Sequence, residues 1–454
     1  VPDKIAGHAF LPPRITLYHV TPHHHVTSRH VTNHPTGGNP MQEMIDRGLS
    51  EEQRMMRNTI RSFVDKEVTP FIRKNWEKEW DMKPENRPSL ELLEGAQKIG
   101  VRGLGVPEEF GGTPVDPKSE VQTFAMVAEE IARGDCGLAD KLVQIWKISK
   151  LLTNIAPRHL QEKWFPRIVE DSSFLLAHCL TEPRGASDRW LPYDVPEAMM
   201  HTRAAKKGDQ WVINGRKQFI TNGYDAKLYV VYATTTPGAG ITRGTSSFLV
   251  PRDTPGLTVQ RCNETLGGRY MNNGEIVFED MAVPKDHCLA QDDAMKRAGI
   301  YFRPGKIIVA AKNLGVGMAA FERTADYVQN YVQGGRILIK HQAVAARLAD
   351  MATKLSAVRA LLNEAIRAVD AGTHDAEVLC NQAKMFASEE IFEVAKNAME
   401  LHGGNGVMLD FGVERFLRDA ALFLHRDATV DISRFKIVKA MFPRTAGVYA
   451  GPEN

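Results

Sequence analysis

Thr181-Glu182-Pro183-Arg184-Gly185-Ala186-Ser187-Asp188, answered about thirty residues later by Lys217-Gln218-Phe219-Ile220-Thr221-Asn222-Gly223, decides how the rest of this chain is read. The first stretch follows an apolar run, Phe174-Leu175-Leu176-Ala177, and gathers hydroxyls, small residues and backbone donors into a turn. The second continues Trp211-Val212-Ile213-Asn214-Gly215-Arg216, which reads as strand, Asn-Gly turn, strand. Together the two offer a floor rich in backbone groups, two threonines and an aromatic wall. Such a floor suits a flat heteroaromatic ring that carries ureide oxygens and a reactive nitrogen.

Upstream of this pair the pattern is helical. Ser50-Glu51-Glu52-Gln53 is a capping signal, and Met56, Ile60, Phe63 and Val64 then recur at helical spacing. Further helices are predicted over 90–99, 118–133, 137–154 and 159–170, with a turn-rich loop at Val106-Pro107-Glu108-Glu109-Phe110-Gly111-Gly112. Past Asp171 the period changes to alternation. Strands are predicted over 174–180, 211–213, 217–221, 227–234, 246–250, 257–260 and 275–278, a small antiparallel unit. From about Asp292 long helices return. Val344, Leu348, Met351, Leu355, Val358, Leu362 and Ile366 form one apolar stripe, and two more helices are predicted over 376–401 and 428–441. The fold class is α+β, with a His-rich extension (1–45), a helical domain (46–171), a β domain (172–290) and a C-terminal four-helix-like bundle (291–454).

Composition limits the function classes. A chain of 454 residues, 43% apolar and 25% charged, can bury a large core in two or three domains. A net charge of +2 gives no reason to expect nucleic acid or a membrane surface as partner, and no run approaches the length of a membrane span. Five scattered cysteines (Cys136, Cys179, Cys262, Cys288, Cys380) lack any CxxC pair, which points to a reducing, cytoplasmic setting without structural zinc. Seven of the fifteen histidines fall between His8 and His34. No acidic or cysteine ligand accompanies them, so the stretch reads as a flexible leader or an upstream segment before Met41, and no metal site is assigned.

Six segments, in order, resemble the acyl-CoA dehydrogenase family. They are Pro107-Glu108-Glu109-Phe110-Gly111-Gly112, the Thr181 turn, the Lys217 strand, and Glu275-Ile276-Val277-Phe278-Glu279-Asp280 with Val283-Pro284. Ile339-Lys340-His341-Gln342 with Leu348-Ala349-Asp350-Met351, and Leu401-His402-Gly403-Gly404-Asn405-Gly406 with Arg418-Asp419, complete the set. The resemblance covers about residues 49–442 and implies that FAD lies between the β domain and the C-terminal helices. By motif position it implies that Leu180 and Thr181 bond the flavin pyrimidine, Ser187 a cofactor phosphate, that Phe219 stacks on the ring and that Thr221 approaches N5. Gln342, Gly403 and Gly404 then serve the cofactor too, the glycines by letting the adenosine side of a neighbouring subunit's FAD come close.

Departures from the family pattern bear on mechanism. Where the family carries its base in Tyr-Glu-Gly-Thr, this chain has His425-Arg426-Asp427-Ala428-Thr429, which places Asp427 at the base position. Aspartate is shorter by one methylene, roughly 1.5 Å of reach, and a misplacement of about 1 Å can cost on the order of a hundredfold in rate. The charges of His425 and Arg426 stand ready to hold Asp427 ionised. Asp427 also suits the N-cap of the last helix, and that reading stays open. The family's Arg-x-x-Phe-Gly is Tyr331-Val332-Gln333-Gly334-Gly335 here, a Gln before the Gly-Gly is Glu400, and an arginine near CoA is Lys306. Arg303, Lys306 and Arg336 are the cations available to compensate. On the helix after Gly137, Asp140 and Lys141 replace apolar pocket residues, so either a polar acyl group is favoured or the two are solvated or paired. Trp190, in an insertion over about 189–204, is a candidate to shape the approach to the site.

The resemblance thus implies FAD-dependent α,β-dehydrogenation of an acyl-CoA, with a short or polar acyl group, Asp427 as base, and substrate contacts from Asp140, Arg303 and Lys306. Electrons would pass to an electron-transfer flavoprotein, and the assembly would be a homotetramer or dimer. Alternatives on the same fold are a lyase or desulfinase-like β-elimination, a nitroalkane-oxidase-like flavin oxidase, and a catalytically silent partner subunit.

Overall fold

In the computed structural model the described residues are 46–87, 89–185 and 196–442, apart from the side chain of Ile300. Helix α1 (Glu51–Phe63) opens on the predicted capping box: Gln53 N–H donates to the Ser50 hydroxyl at 3.2 Å, and Ser50 N–H to the Gln53 carboxamide at 3.0 Å. One π-type turn, Val64–Val68, joins it to α2 (Thr69–Asn75). There follow α3 (Leu90–Lys98), α4 (Glu120–Gly134), α5 (Cys136–Ile155) and α6 (Arg158–Glu170). Asp135 caps α5 by accepting from Leu138 N–H at 2.7 Å, so α4 and α5 meet at a sharp corner.

Eight strands make the central sheet: β1 (Leu176–Cys179), β2 (Arg203–Lys207), β3 (Gln210–Thr221), β4 (Leu228–Thr234), β5 (Thr245–Pro251), β6 (Leu257–Asn263), β7 (Asn273–Pro284) and β8 (Cys288–Ala290). Their order is β6-β7-β3-β2-β4-β5-β8, with β1 laid beside β4. Most pairs are antiparallel, but β1 runs parallel to β4. Strand β4 shows why its sequence, Leu228-Tyr229-Val230-Val231-Tyr232-Ala233-Thr234, lacks alternation. Leu228, Val230 and Tyr232 enter the core shared with the N-terminal helices, while Tyr229, Val231 and Ala233 enter a second core on the other face. A strand covered on both sides has no polar face to display.

Two features differ from the sequence reading. Asn214-Gly215 is not a hairpin turn. Strand β3 runs straight through it, paired with β7, and absorbs a register shift between Ile213 and Gly215. The Asn214 carboxamide bridges the irregularity, accepting from Asp280 N–H at 2.8 Å and donating to the Asp280 carboxylate at 3.1 Å. Gly215 has φ 150°, and a Cβ there would lie 2.6 Å from Thr202 Cα. The true hairpin is one step earlier, at Gly208-Asp209, because β2 precedes it. Strand β2 was not predicted: of its residues Arg203-Ala204-Ala205-Lys206-Lys207 only Ala204 is buried, so it carries no alternating signal.

The C-terminal helices are α7 (Gly299–Asn330), α8 (Gln342–Asp370), α9 (Ala376–Leu401), α10 (Glu414–Phe423) and α11 (Val430–Met441). Helix α7 lies against α4, α8 and α9, and α9 in turn carries α10 and α11. The predicted stripe on α8 is the buried seam from Leu348 to Ile366; only Val344, at its start, is partly exposed. Gly315 lets α7 approach α4 so closely that a Cβ there would overlap the Glu129 carbonyl oxygen. Among the described residues no helix is long and apolar enough to cross a membrane, and all five cysteines are free.

Candidate active site

The floor inferred from the two motifs is assembled. Gln218 N–H donates to the Thr181 carbonyl at 3.0 Å, which sets the end of β1 against β3. A second register shift between Lys217 and Ile220 lifts Phe219 out of the ladder. Phe219 takes φ 57° and leaves its ring 59% exposed. A large aromatic in left-handed backbone, presented to solvent, is held there against its own preference. Thr221 ends the strand opposite Asn273, and Asn222 (φ 61°) is fully buried, its amide donating to the carbonyls of Lys141 and Leu176.

Two residues that sequence reasoning passed over pin this floor. The Lys217 ammonium is completely buried, 2.7 Å from the Glu182 carboxylate and 3.2 Å from the Leu180 carbonyl. Glu182 also accepts from His201 N–H at 2.6 Å and Thr202 N–H at 3.0 Å. Burial works to raise the Glu182 pKa, but Lys217 and these donors overcome it and hold the carboxyl below its ordinary range. The available signal was one opposite charge in each motif. Ser187 and Trp190 lie outside the described residues.

Strand β1 links the floor to a cleft. His178, two residues before Leu180, contacts the Tyr301 hydroxyl, which also bonds Tyr232 at 3.1 Å. Tyr301 lines an open cleft between α4, α5 and α7. Apolar walls come from Val121, Phe124, Val143, Pro304, Ile308 and Val309; the polar groups are Glu120, Lys147, Lys150, Tyr301 and Asp427. Lys150 is paired with Glu120 at 2.6 Å.

Asp427 is thus one of two carboxylates in an apolar-walled cleft beside the floor, the other being Glu120, which Lys150 holds. It is not the helix cap: Thr429 caps α11, its hydroxyl accepting from Ile432 N–H at 3.3 Å. Asp427 and Ala428 have φ of 49° and 85°, consecutive left-handed residues of which neither is glycine. The turn is held from the bundle. The buried Lys384 ammonium donates to the Ala428 carbonyl at 2.8 Å, and Ser388 donates to the Phe423 carbonyl at 2.9 Å. Burial and the neighbouring Lys306 push Lys384 down to about 8.

The electrostatics differ from expectation in two places. Arg426 turns away from Asp427 to pair with Asp140, which Lys312 also grips at 2.5 Å. Asp140 is therefore not a charge facing the acyl group; it is a buried anchor of the turn, and the partner foreseen for it, Lys141, is not the one it takes. Burial opposes ionisation of Asp140, yet the two cations win and hold its pKa below the ordinary range. The residues that act on Asp427 are lysines. Lys147 Nζ stands 3.3 Å from its carboxylate, and Lys306 lines the same corner of the cleft. Burial pushes Asp427 up, but Lys147, Lys312 and Lys306 together hold it far below the usual carboxylate range. Its side chain keeps 40% of its surface accessible, at the bottom of an open cleft walled by protein.

The remaining assigned residues are spread out. Lys306 is buried beside Asp427, and burial lowers its pKa. Arg303 points outward and pairs with Glu377 at 2.9 Å. Gln342 begins α8 and is exposed; Gly403 (φ 58°) and Gly404 are exposed with no heavy atom within 4 Å of a built Cβ, so this single chain leaves the space over them open. Glu400 is taken by Arg347 at 2.8 Å. Among the described residues no cluster of potential metal ligands occurs.

Comparison with known proteins bears on the family and the fold. The chain matches the acyl-CoA dehydrogenase N-terminal domain over residues 50–172, the middle domain over 177–281 and the C-terminal domain over 295–441. It is 32% identical over 403 residues to an acyl-CoA dehydrogenase of Bacillus subtilis (strain 168), covering 87% of this chain and 100% of that protein. Among solved structures it resembles butyryl-CoA dehydrogenase from Megasphaera elsdenii (TM-score 0.77, 27% identity, 87% of this chain and 98% of the other). It also resembles a chain from a study of the electron transferring flavoprotein of Acidaminococcus fermentans (TM-score 0.78, 29% identity, 87% and 99%). On the sequence, the fold and these relatives alike, the chain belongs to the acyl-CoA dehydrogenase family of flavoenzyme oxidoreductases.

Proposed function

We propose that this chain binds one FAD without a covalent link and dehydrogenates a short or polar acyl-CoA, with Asp427 removing the α-proton. The observation that carries the reading is the Asp427 carboxylate itself: ionised, free of any capping duty, and set in an apolar-walled cleft whose Tyr301 contacts His178 on the strand that leads to the floor. The floor fits a flavin because Phe219 is exposed on strained backbone where a flat ring would cover it, beside the fixed Thr181 and Thr221. When bound, the cofactor supplies the acceptor for the β-hydride.

The protein's part is to bind, orient and take a proton. The apolar walls exclude water from the acyl chain, which strengthens every charge interaction in the cleft. Asp427 accepts the α-proton on a carboxylate oxygen, and its backbone N–H is the donor offered to the thioester carbonyl as negative charge builds there. Lys306 and Lys384 favour that charge further. Electron-transfer flavoprotein is the proposed acceptor. A homotetramer or dimer is the proposed assembly, supported by apolar Val438, Met441 and Phe442 exposed together on and just after α11, and by the open space over Gly403 and Gly404. Free cysteines throughout suit a reducing, cytoplasmic setting.

Asp427→Asn tests the reading. The fold and flavin spectrum should be retained, because Thr429 does the capping. Turnover with a dye acceptor should fall by about 10²–10⁴-fold, the range of a general base. Near wild-type turnover would refute the assignment.

A further inference from the structure

Lys147 is out of place in its helix. Its neighbours Val143, Ile145, Trp146 and Ile148 belong to the core, and its own side chain is only 11% exposed, at the wall of an apolar cleft. Its partners there are the Asp427 carboxylate at 3.3 Å and the face of the Tyr301 ring, 5.5 Å from ammonium to centroid. Keeping an ammonium so far from water is costly unless charge answers it. Asp427 does not need this cation to stay ionised, since Lys306 from α7 and Lys384 from α9 also face its turn. Five cations, Lys147, Lys306, Lys312, Lys384 and Arg426, stand around the turn; Asp427 and Asp140 take the direct ion pairs of Lys147, Lys312 and Arg426, and Glu377, Glu389 and Asp419 act on the group as well. Across the cleft, Glu120 is already committed to Lys150.

The pairing also obstructs the proposed chemistry. A carboxylate held by an ammonium at 3.3 Å is a poor acceptor of an α-proton, because the ion pair favours its charged form. Something must draw Lys147 off Asp427 as substrate binds, and an acyl chain that carries its own carboxylate does so by offering the ammonium a second anion. Resting on the acyl-CoA reading above, we propose that Lys147 is the specificity-determining residue of the cleft and that the preferred substrate is the CoA thioester of a short dicarboxylic acid, whose distal carboxylate takes Lys147 from Asp427. The chain must be short because Lys147 stands beside the base and not at the far end of the cleft. Neutral acyl groups leave the ion pair intact and meet a weakened base.

Purified holoenzyme decides this with two length-matched pairs, succinyl-CoA against butyryl-CoA and glutaryl-CoA against valeryl-CoA. Both kcat/KM and Kd, the latter from perturbation of the flavin spectrum, are measured for the wild type, Lys147→Met and Lys147→Arg. In the wild type the dicarboxylic thioester of at least one pair should be preferred by roughly a hundredfold or more in kcat/KM, a floor below the roughly 10⁴–10⁵ by which a site built to pair a polar group rejects the analogue lacking it. Lys147→Met should abolish the preference and raise turnover of the neutral partner, and Lys147→Arg should restore the preference in part. With the neutral substrate, the acid limb of the pH profile should move upward in Lys147→Met, because Asp427 then keeps only Lys306, Lys312 and Lys384 nearby. A wild type that prefers neutral thioesters in both kcat/KM and Kd, or a Lys147→Met variant that weakens both members of a pair equally, overturns the proposal. A dicarboxylic preference in Kd that vanishes in Lys147→Met supports it even if no thioester is oxidised, and that result would overturn the dehydrogenation reading alone.

Discussion

Replacing Lys217 by methionine should strike fold and cofactor together. Lys217 and Glu182 are both buried, 2.7 Å apart, and the same ammonium holds the Leu180 carbonyl. Methionine fills the stem volume but strands the Glu182 carboxylate, and breaking a buried pair from one side costs about 3–5 kcal/mol. His201 and Thr202 still donate backbone N–H bonds to Glu182, which places the expectation near about 3 kcal/mol. For a chain this large that corresponds to a fall in Tm on the order of 3–4 °C. The sign with pH follows from Glu182, whose pKa is depressed in the folded state. Its contribution is present above the unfolded value of about 4.3 and is lost as pH falls through the folded value. The deficit of the variant is therefore largest near neutrality and shrinks as pH falls and the stranded carboxyl, no longer held ionised by Lys217, protonates. Denaturation followed by tryptophan and flavin fluorescence reads both effects, and flavin should be released before the main transition. A variant within about 1 kcal/mol of wild type, with flavin retained, would show that the pair does not hold the floor.

Three further substitutions separate the parts of the site. Asp140→Asn leaves Lys312 and Arg426 facing each other in the core and should destabilise by about 3–5 kcal/mol in chemical denaturation, with turnover lost because the Asp427 turn loses its anchor. Ala428→Gly puts glycine at φ 85° and should leave stability unchanged or raise it by up to about 1 kcal/mol, since relief of strain offsets the added chain entropy. Phe219→Ala removes a side chain that is mostly exposed, so the apoprotein's stability should change by only about 0.5 kcal/mol, while flavin dissociation measured by fluorescence should accelerate clearly.

Much of this was legible because the physical signals were local. The Ser50 box, the α8 stripe and the 376–401 helix each follow from spacing within one element, and each stands where expected. The floor was legible because two motifs had to meet, and Thr181 and Gln218 do. What escaped were contacts between elements far apart in sequence. Arg426 chose Asp140 and not Asp427, and Asp427 drew its cations from Lys147, Lys306 and Lys312 on α5 and α7. No periodicity encodes those partners. Strand β2 escaped for the opposite reason: it buries only Ala204, so burial left no mark on its composition. Asn214-Gly215 shows that a pair favoured in hairpins serves equally well at a bulge, where glycine gives room for Thr202.

The claim at the centre of this account is that Asp427 removes a proton from the carbon next to the thioester. It is tested without relying on electron transfer by incubating the flavin-loaded enzyme with an acyl-CoA in deuterium oxide under anaerobic conditions and following the α-protons by NMR. Succinyl-CoA and butyryl-CoA should each be run, so that the outcome does not hinge on the acyl group. Wild-type enzyme should exchange α-protons for deuterium in at least one of them, and Asp427→Asn, with its flavin spectrum intact, should slow that exchange by about a hundredfold or more. Exchange that proceeds equally in Asp427→Asn would contradict the assignment and place the base elsewhere in the cleft.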